Sequence, residues 1–398
     1  MPSPGRFALL AAAAAFGVLM TGCTAGPAPT GVATPTPTPT ETVAPVVDRP
    51  TPVFAVGCDE LVDPAELQTF VGAGVAPIAL VTPAERVATI SPDVAAVDQL
   101  GSLVCDWTDG QHSESPWGPP PDPRQSVHLS LVPDAEAAAQ RYVDVYAPTS
   151  PDAAYGATAH GPRCIGVEYA MPTGYCELQG WLADSWIEYV VHGIDIASYD
   201  TDAQLLAAFT VLTDRAIAAL GDAERGAEWT PPVSPSPVGD CGSVVTTEDI
   251  VELTGVADIW VGPFWDGPRV GQYSYAAETE HAMECSFNFV DAEGSFGAVH
   301  VLPEGGWGFA SAAQAWLAEG AVATEVEGVA PGDALMRCAD LADTCALDLR
   351  IAEHWVRIEV MPTPPDEVTW VPAGVDFDAA RSAIVPIAER VVANITAD

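Results

Sequence analysis

The sequence predicts an α+β protein of two tandem homologous domains, each a mostly antiparallel sheet with packed helices and two disulfides. Three observations predict this fold: an internal repeat, an even division of eight cysteines between the halves, and strand-like segments joined by tight turns. We expect a first domain at 51–228, a Pro-rich linker at 229–240 and a second domain at 241–398. A lipoprotein signal peptide at 1–22 and a Pro/Thr-rich tether at 23–50 are expected to precede them.

The repeat consists of five pairs of segments that recur in the same order. CELQGWLADSWIEYVV from Cys176 aligns without a gap with CALDLRIAEHWVRIEV from Cys345, so that Trp186 matches Trp355. The other pairs are GCDELVDPAELQTFVG with DCGSVVTTEDIVELTG, SLVCDW with AMECSF, SVHLSLVPDAEAA from Ser126 with AVHVLPEGG from Ala298, and TDRAIAAL with AERVVANI. Five ordered matches at a nearly constant spacing indicate that one unit has been duplicated.

The cysteine arrangement predicts a disulfide framework. Of nine cysteines, Cys23 is left over and four lie in each half. If both halves close on themselves identically, three connectivities remain, and we favour first with second and third with fourth, because the last two flank a short Gly-, Pro- or Asp-rich connection. The predicted pairs are Cys58–Cys105, Cys164–Cys176, Cys241–Cys285 and Cys338–Cys345. A metal site is the alternative, but the sequence has no C-x-x-C motif, so we expect no metal and no cofactor.

The N-terminus predicts export and lipidation. Arg6 is followed by an apolar run from Phe7 to Met20, which is shorter than the roughly 20 residues that a membrane span needs. Thr21 and Gly22 then precede Cys23, as in the bacterial lipobox. We expect a diacylglycerol and an acyl chain such as palmitate on Cys23, holding the protein on the extracellular face of the cell membrane. The alternative is ordinary signal-peptidase cleavage that leaves Cys23 as a free thiol.

The composition excludes some classes of partner. The chain has 55 acidic against 14 basic residues and a formal net charge of −41, which excludes nucleic acid as a partner. We interpret the acidic surface as a device for solubility. The hydrophobic content of 48% allows large cores. The Ala- and Asp-rich, lysine-free usage, together with the lipobox, indicates an actinobacterial source.

Capping signals mark the helices. Asp63 as N-cap, Pro64 in the first turn and Glu66 as the acid of a capping box predict a helix over Leu61 to Gly72. The matching helix of the second half is expected to start at Thr246 or Thr247 and to end near Gly255. Further along, Asp376 in the sequence DFD predicts an N-cap rather than a calcium ligand.

Alternating apolar residues mark the strands of the first half. In order, we expect a strand with Cys105 and Trp107, a strand at 126–132, a helix from Asp134 to Tyr146, a hairpin of 176–183 and 186–192 with its turn at Asp184-Ser185, and a helix from Thr201 to Leu220. Hairpin-linked strands with interspersed helices are typical of an antiparallel α+β unit.

This unit resembles actinobacterial lipoproteins of the "domain of unknown function 3558" type, and it is similar to the disulfide-bearing sensor modules outside some mycobacterial receptor kinases. The resemblance rests on Cys58, Cys105-x-Trp107, Cys164 and Cys176, with their counterparts in the second half. It implies a cell-envelope protein without an established activity and supplies no catalytic residue. Such families usually carry one unit, whereas this chain has two.

One group of residues is a candidate binding face. With a turn at Glu353-His354, the hairpin 345–360 places six apolar residues on one face and a mixed set of charged residues and Trp355 on the other. The charged face is expected to be too polar to lie dry beneath a helix. The candidate residues are His128, Trp186, His300, Arg350, Trp355 and Arg357. The alternative is that each Trp covers the sheet edge or packs against the sister domain.

No catalytic motif is present: the sequence has no nucleophile elbow, P-loop, dinucleotide-binding loop or zinc-protease helix. We therefore expect a non-enzymatic binding or sensor module of the envelope. Its expected partners are the membrane, through the lipid anchor, and an unidentified envelope ligand or protein. A structural or assembly lipoprotein is the alternative, followed by a secreted hydrolase.

Overall fold

Each half of the chain forms one antiparallel sheet, and the two sheets share the same strand order. We analysed a computed structural model, which describes residues 49–72, 74–78, 91–109, 125–146, 158–229, 239–263, 271–290, 294–318, 320–338, 345–360 and 376–397. The predictions for the signal peptide, Cys23, nearly all of the tether and most of the linker fall outside these residues.

The N-terminal half contains six strands and five α-helices among its described residues. In chain order these are α1 (Cys58–Leu61), α2 (Pro64–Val71), β1 (Ala76–Ile78), α3 (Pro92–Gln99), β2 (Leu103–Thr108), β3 (Ser126–Val132), α4 (Glu136–Tyr146), β4 (Thr158–Ile165), β5 (Gly174–Leu182), β6 (Ser185–Ile194) and α5 (Asp202–Asp222). The strand order in the sheet is β1-β2-β3-β6-β5-β4.

The C-terminal half follows the same plan. Its described elements are α6 (Cys241–Val244), α7 (Thr247–Thr254), β7 (Ile259–Gly262), α8 (Gln272–Thr279), β8 (Met283–Phe289), β9 (Ser295–Leu302), α9 (Gly306–Ala318), β10 (Val322–Ala323), β11 (Ala334–Cys338), β12 (Cys345–Ile351), β13 (His354–Val360), α10 (Phe377–Ser382) and α11 (Ile384–Ile395). Read from the other edge, the strand order is β7-β8-β9-β13-β12-β11-β10. It matches the N-terminal order strand by strand, with β10 as one additional strand at the edge. The α+β prediction is confirmed.

The four predicted disulfides are confirmed. Cys58–Cys105 and Cys241–Cys285 each tie the short helix at the start of a half to a strand, with Cα–Cα distances of 5.5 Å in both. Cys164–Cys176 and Cys338–Cys345 each join two neighbouring antiparallel strands, with Cα–Cα distances of 4.1 Å. The two halves are thus cross-linked in the same way and not to each other.

Most of the capping predictions are confirmed. Asp63 accepts hydrogen bonds from the backbone N–H of Ala65 (2.8 Å) and Glu66 (3.3 Å), and Pro64 is the first residue of α2. The capping box is not formed in this helix, and the Glu66 carboxylate forms an ion pair with Arg215 at 2.8 Å. In the C-terminal half Thr246 caps α7, which ends at Gly255 in the left-handed conformation (φ 71°).

Two other capping predictions and two turns can be compared directly. The turn of the first hairpin is at Ala183-Asp184, one residue earlier than the predicted Asp184-Ser185, with Ala183 at φ 55°. Thr201 caps α5, and Asp376 accepts a hydrogen bond from Ala379 N at 3.0 Å as the N-cap of α10. The turn of the last hairpin is at Ala352-Glu353, one residue earlier than predicted, with Ala352 at φ 52°. The predicted division of this hairpin into two faces is nonetheless confirmed by the pairing of Arg350 with Trp355.

The core face of each sheet is the face covered by helices of its own half. In the N-terminal sheet, Leu178, Tyr189 and their neighbours pack beneath α2 and α5. In the C-terminal sheet, Leu347, Ile358 and their neighbours pack beneath α7 and α11. Helix α5 is also long and apolar enough to span a membrane by length and composition, but here it packs on the sheet through Leu205, Phe209, Leu212, Ala216 and Leu220.

The opposite face of each sheet, which we call its polar face, is partly covered by a helix from the other half. Helix α3 of the N-terminal half contacts β9 and β13, and Gln99 Nε2 donates to Pro303 O at 3.0 Å. Conversely, Gln272 on α8 donates from Nε2 to Trp186 O at 3.1 Å, and Tyr275 OH donates to Asp134 O at 3.2 Å. The two halves therefore exchange equivalent helices.

A single apolar cluster lies between the halves as a result of this exchange. It contains Ala95 and Ala96 of α3, Ala276 of α8, Trp186 of β6 and Trp355 of β13, all buried. Removing this surface from water stabilises the pair of halves by about 25 cal/mol per Å² of apolar area. Each half thus has its own core, and the two halves share this third apolar cluster.

Candidate functional site

The expected binding face is not formed, because its tryptophans are buried. Trp186 is 1% exposed and Trp355 is 0% exposed, and both belong to the cluster between the halves. Of the other predicted residues, Arg357 is fully buried, and His128, His300 and Arg350 are half-buried. The predicted residues are also divided between two sheets. The alternative interpretation, that each Trp packs against the sister half, describes the structure.

The polar face of the C-terminal sheet is an internal ion-pair network centred on Asp348. Its Oδ1 accepts from Arg357 Nε at 2.8 Å and from Trp355 Nε1 at 2.9 Å, and its Oδ2 accepts from Arg337 Nη2 at 2.9 Å. Burial alone would raise the pKa of Asp348, but the charges of Arg357 and Arg337 and their hydrogen bonds hold this pKa below its usual value. The carboxylate is therefore ionised, and its charge is balanced by the two arginines.

Helix α9 covers this network, so the expectation that a charged face would not lie beneath a helix is wrong. The Trp316 ring of α9 lies 4.6 Å from the Arg337 guanidinium carbon and 5.8 Å from that of Arg357. The helix approaches closely because Gly308 has no side chain: a Cβ there would lie 2.8 Å from Trp355 Cε3. The remaining arginine, Arg350, pairs with Asp333 at 2.8 Å.

The polar face of the N-terminal sheet has different chemistry at the equivalent positions. In the C-terminal sheet Arg357 lies between His300 and Asp348 in the strand register. In the N-terminal sheet Glu188 lies between Ser130 and Gln179. Glu188 and Arg357 each lie two residues after the equivalent tryptophans, Trp186 and Trp355, so Glu188 corresponds to Arg357. Their cross-strand partners, Gln179 and Asp348, correspond in turn.

The register also corrects one sequence alignment. Asp134 and Glu304 follow a proline and both have positive φ, 52° and 59°, at the same point between strand and helix. Aligned at these residues, Ser130 and not His128 is the counterpart of His300. The Val-His dipeptides of the two segments predict instead that His128 matches His300, an alignment displaced by two residues.

Glu188 and Gln179 have acceptor oxygens that nothing else in the described part of the chain bonds. Gln179 is 7% exposed, and its buried Oε1 has no hydrogen-bond donor among the described residues. Burial raises the pKa of Glu188, the charge of His128 opposes this shift, and the Glu177 carboxylate adds to it. A carboxyl group without an ion-pair partner in the described residues thus lies next to an amide oxygen without a donor.

A hydrogen-bonded chain of Asp106, His128, Ser130 and Gln272 lies beside Glu188. His128 Nδ1 is 2.8 Å from Asp106 Oδ1, and His128 Nε2 is 3.1 Å from Ser130 Oγ. This order resembles the Ser–His–Asp arrangement of hydrolases. This hydrogen-bonded chain was missed in the sequence, because Asp106 lies on β2 while His128 and Ser130 lie on β3. No sequence motif contains all three residues.

The direction of this chain argues against a nucleophilic serine. Gln272 Nε2 donates to Trp186 O at 3.1 Å, which turns its Oε1 toward Ser130. Ser130 Oγ donates to that oxygen, so it accepts from Nε2 of His128. A nitrogen that donates to serine cannot remove the serine proton, and Ser130 is 1% exposed. In this geometry the chain joins β2 and β3 to α8 of the other half.

Glu177 completes the polar face next to Glu188. It bonds Arg163 on β4 and accepts from the Tyr175 hydroxyl. Burial, followed by the hydrogen bond to Glu177, raises the pKa of Tyr175 above its ordinary value, so the phenol stays protonated. Arg163 is the counterpart of Arg337, but it serves Glu177 and leaves Gln179 without a donor from the described residues.

No metal centre is found in the described ranges, where no three His, Cys, Asp or Glu side chains converge on one point.

A titratable contact also joins the two halves. Asp98, at the end of α3, is 7% exposed and pairs with Arg49 at 3.0 Å, while the Arg49 guanidinium lies 6.0 Å from the Trp307 ring of the other half. Burial raises the pKa of Asp98 to about 6, against the lowering effect of Arg49. The ionised form of Asp98 is therefore less favourable in the folded protein than in the unfolded chain.

We expect Asp98→Asn to make the folded protein more stable near pH 7, by up to about 3 kcal/mol at the limit set by a shift of two pKa units. Because the folded-state pKa is raised, the wild-type protein loses stability as pH rises from about 4 to about 6 through the two pKa values. Denaturant unfolding of both proteins between pH 4 and 7 measures the difference, which should grow across this window. Arg49→Met should extend the loss of stability to higher pH, because Arg49 lowers the folded-state pKa of Asp98, and a constant difference between wild type and Asp98→Asn would contradict the assignment.

Comparison with known proteins assigns no family. No protein-family model matches the sequence, and no curated protein matches it. Among solved structures, the chain is weakly similar to DynU16, described as a putative protein in the dynemicin biosynthetic locus, with 11% sequence identity and a TM-score of 0.13 over 80% of this chain and 95% of that one. A likeness at this level carries no argument about fold or function.

Proposed function

We propose that the protein is a non-catalytic binding module held at the cell envelope by a lipid on Cys23, and that the polar face of the N-terminal sheet is its binding surface. The observation that carries this proposal is the pair of acceptors, Glu188 and Gln179, left without donors by the described residues. The duplicated half closes the same positions with its own ion pair, Asp348–Arg357. The C-terminal sheet has its own donor, Arg357, at these positions, and the N-terminal sheet has none among the described residues. Glu188 and Gln179 are therefore suited to a donor from a ligand.

Helix α4 packs against β4, β5 and β6 on this face, with Tyr142 against Trp186, and the face is exposed at its border. The His128 side chain is 22% exposed, and Tyr273 of α8, whose ring centroid lies 6.4 Å from that of His128, is 43% exposed. An exposed aromatic residue beside buried acceptors is a common arrangement in recognition sites. By contrast, the residue that corresponds to Glu188 in the C-terminal sheet, Arg357, is 1% exposed.

The location is proposed from the sequence. Residues 1–22, the Thr-Gly-Cys step at Cys23 and the Pro/Thr-rich tether favour a lipoprotein on the extracellular face of the cell membrane. Disulfides are expected in an oxidising compartment, and the four that are formed agree with export. The resemblance to "domain of unknown function 3558" lipoproteins of actinobacteria leads to the same proposal.

Two other functions have a specific observation behind them. The apolar cluster shared by the halves favours a structural or assembly lipoprotein, but it is used within this chain. The Asp106–His128–Ser130 arrangement favours a hydrolase, but Ser130 is buried and donates to Gln272. We therefore propose binding in preference to both.

Site-specific photo-crosslinking in the native cell envelope tests the binding surface. With a benzophenone amino acid at position 273 of the full chain, we expect an adduct that the Glu188→Arg variant loses. The matched control places the same amino acid at Tyr169, which is 74% exposed on the turn between β4 and β5. No adduct at 273, or equal adducts at both positions, would refute the binding surface.

Metabolic labelling with a clickable fatty acid tests the anchor. Wild-type protein should carry the label and remain with the membrane, because two or more acyl chains hold a protein stably. Cys23→Ala should remove the label and release the protein to the medium. A label that persists in Cys23→Ala would disprove lipidation at this residue.

A further inference from the structure

The identity of the ligand can be narrowed by treating the C-terminal sheet as a template for the N-terminal sheet. In that template a guanidinium group, that of Arg357, occupies the position between two strands that Glu188 occupies in the N-terminal sheet. Its Nε donates to Asp348 Oδ1 at 2.8 Å, and its carbon lies 5.5 Å from the Trp355 ring centroid. The fold thus accommodates a guanidinium between an acceptor oxygen and an indole.

The N-terminal sheet keeps two parts of this arrangement and changes the third. Trp186 is retained at the position of Trp355, and Gln179 keeps an acceptor oxygen at the position of Asp348. Glu188 replaces the cation by a carboxyl group. The pair consequently offers acceptor oxygens from both members, whereas in the C-terminal sheet Arg357 donates to Asp348 at 2.8 Å.

Charge at this face also favours a cation. The Asp106 carboxylate pairs with His128, and the Glu177 carboxylate pairs with Arg163. Gln179 Oε1 is buried without a donor among the described residues, and the positive group that acts on Glu188 is His128, which is itself paired with Asp106. A ligand that supplies both a positive charge and several N–H donors would satisfy both side chains at once.

We propose that the polar face of the N-terminal sheet binds a guanidinium group of an external ligand between Glu188 and Gln179. This inference rests on the proposed binding function and names the chemical class of its ligand. The guanidinium can come from an arginine side chain in a peptide or from a small guanidine compound, since both present the same planar donors. Trp186 would line the site as Trp355 does in the C-terminal sheet.

Calorimetric titration of the full chain in detergent with N-acetyl-arginine amide tests the proposal. We expect one binding site, and we expect Glu188→Gln to weaken binding at least tenfold, because one charge-assisted hydrogen bond to a carboxylate is lost. N-acetyl-citrulline amide, a neutral isostere with a ureido group, should not bind. Glu168→Gln, an exposed carboxyl on the β4–β5 turn, is the control and should bind like the wild type.

A second variant tests the template directly. Gln179→Asp together with Glu188→Arg recreates the ion pair of the C-terminal sheet and should abolish binding while the protein remains folded. Tighter binding of the blocked peptide Ala-Arg-Ala than of agmatine would identify a peptide source, and the reverse order would identify a small guanidine. Both results support the guanidinium class.

Three results would overturn the proposal: no binding of N-acetyl-arginine amide at millimolar concentration, equal binding of the citrulline amide, or unchanged binding in Glu188→Gln. If the crosslink at position 273 still depends on Glu188 in that case, the binding surface stands and only the guanidinium class falls. If the crosslink is also absent, the proposed function falls with it.

Discussion

Replacing Trp355 with alanine in the full chain should lower the free energy of unfolding by about 3–5 kcal/mol. The indole is 0% exposed and packs against Trp316 of α9, with ring centroids 5.8 Å apart. Its Nε1 also donates to Asp348, so the substitution removes a donor from a buried carboxylate as well as leaving a cavity. Equilibrium denaturation with the disulfides intact measures the loss.

Trp260→Ala is the matched control for this prediction. Trp260 belongs to the same half but lies on the edge strand β7 and is 38% exposed, so we expect a change within about 1 kcal/mol. Trp355→Phe should fall between the two variants, because it keeps most of the ring volume and loses the hydrogen bond. If Trp355→Ala cost no more than Trp260→Ala, the packing of α9 over the polar face would be wrong.

The sequence predicted the architecture well because the internal repeat and the positions of the cysteines are two independent constraints on it. The gapless match from Cys176 and Cys345 identified the corresponding hairpins, and the short connections within Cys164–Cys176 and Cys338–Cys345 favoured the pairing that the structure has. Helix α3 was not predicted, although Ser91 and Pro92 are a recognisable start: Ser91 Oγ accepts from Val94 N at 3.3 Å. Its counterpart α8 begins at Gly271 without a side-chain cap, so that signal was weaker.

The functional face was predicted incorrectly because alternation along a strand cannot show what covers the strand. The pattern of the last hairpin correctly separated two faces, but it placed Trp355 and Arg357 on a surface. Trp355 and Arg357 are buried because α9, and α3 from the other half, pack against their strand. Both helices are remote in sequence from this hairpin, so the alternation within the hairpin cannot predict the contact. Gly306 and Gly308 were the available signal, since two glycines in a helix favour close approach to a neighbour.

Duplication also explains why the candidate site is found in one half alone. The two sheets have the same strand order, so corresponding positions receive the same backbone surroundings. In the C-terminal sheet the side chains there neutralise one another, and in the N-terminal sheet Glu188 and Gln179 do not. One copy can then keep its polar face internally paired while the side chains of the other change.

Substituting Asp348 with asparagine should be the most damaging single change on the C-terminal polar face, with a loss of about 3–5 kcal/mol. Asparagine keeps the shape of the side chain but removes the carboxylate that pairs with both Arg357 and Arg337, and for Arg357, which is 1% exposed, it removes the closer of two carboxylates, the other being Glu359 at 3.4 Å. Because the folded-state pKa of Asp348 is lowered, its stabilising effect is present in full above the unfolded-state pKa near about 4 and is lost as pH falls through the folded value. The loss in Asp348→Asn should therefore be complete at pH 7.

Two comparisons make this last prediction specific to the ion pair. Glu188→Gln makes the same kind of change at the N-terminal polar face, where the pKa of the carboxyl is raised by burial, and it should leave stability at pH 7 unchanged or increase it. In the C-terminal sheet, the double variant Asp348→Asn/Arg357→Met removes both charges, and Arg337 can turn toward solvent because its side chain is already 16% exposed. The double variant should therefore lose less than the sum of its single variants, by about 1–3 kcal/mol in a double-mutant cycle. Additive losses would show that Asp348 and Arg357 act independently, and the contrast between the two sheets on which the proposed site depends would no longer hold.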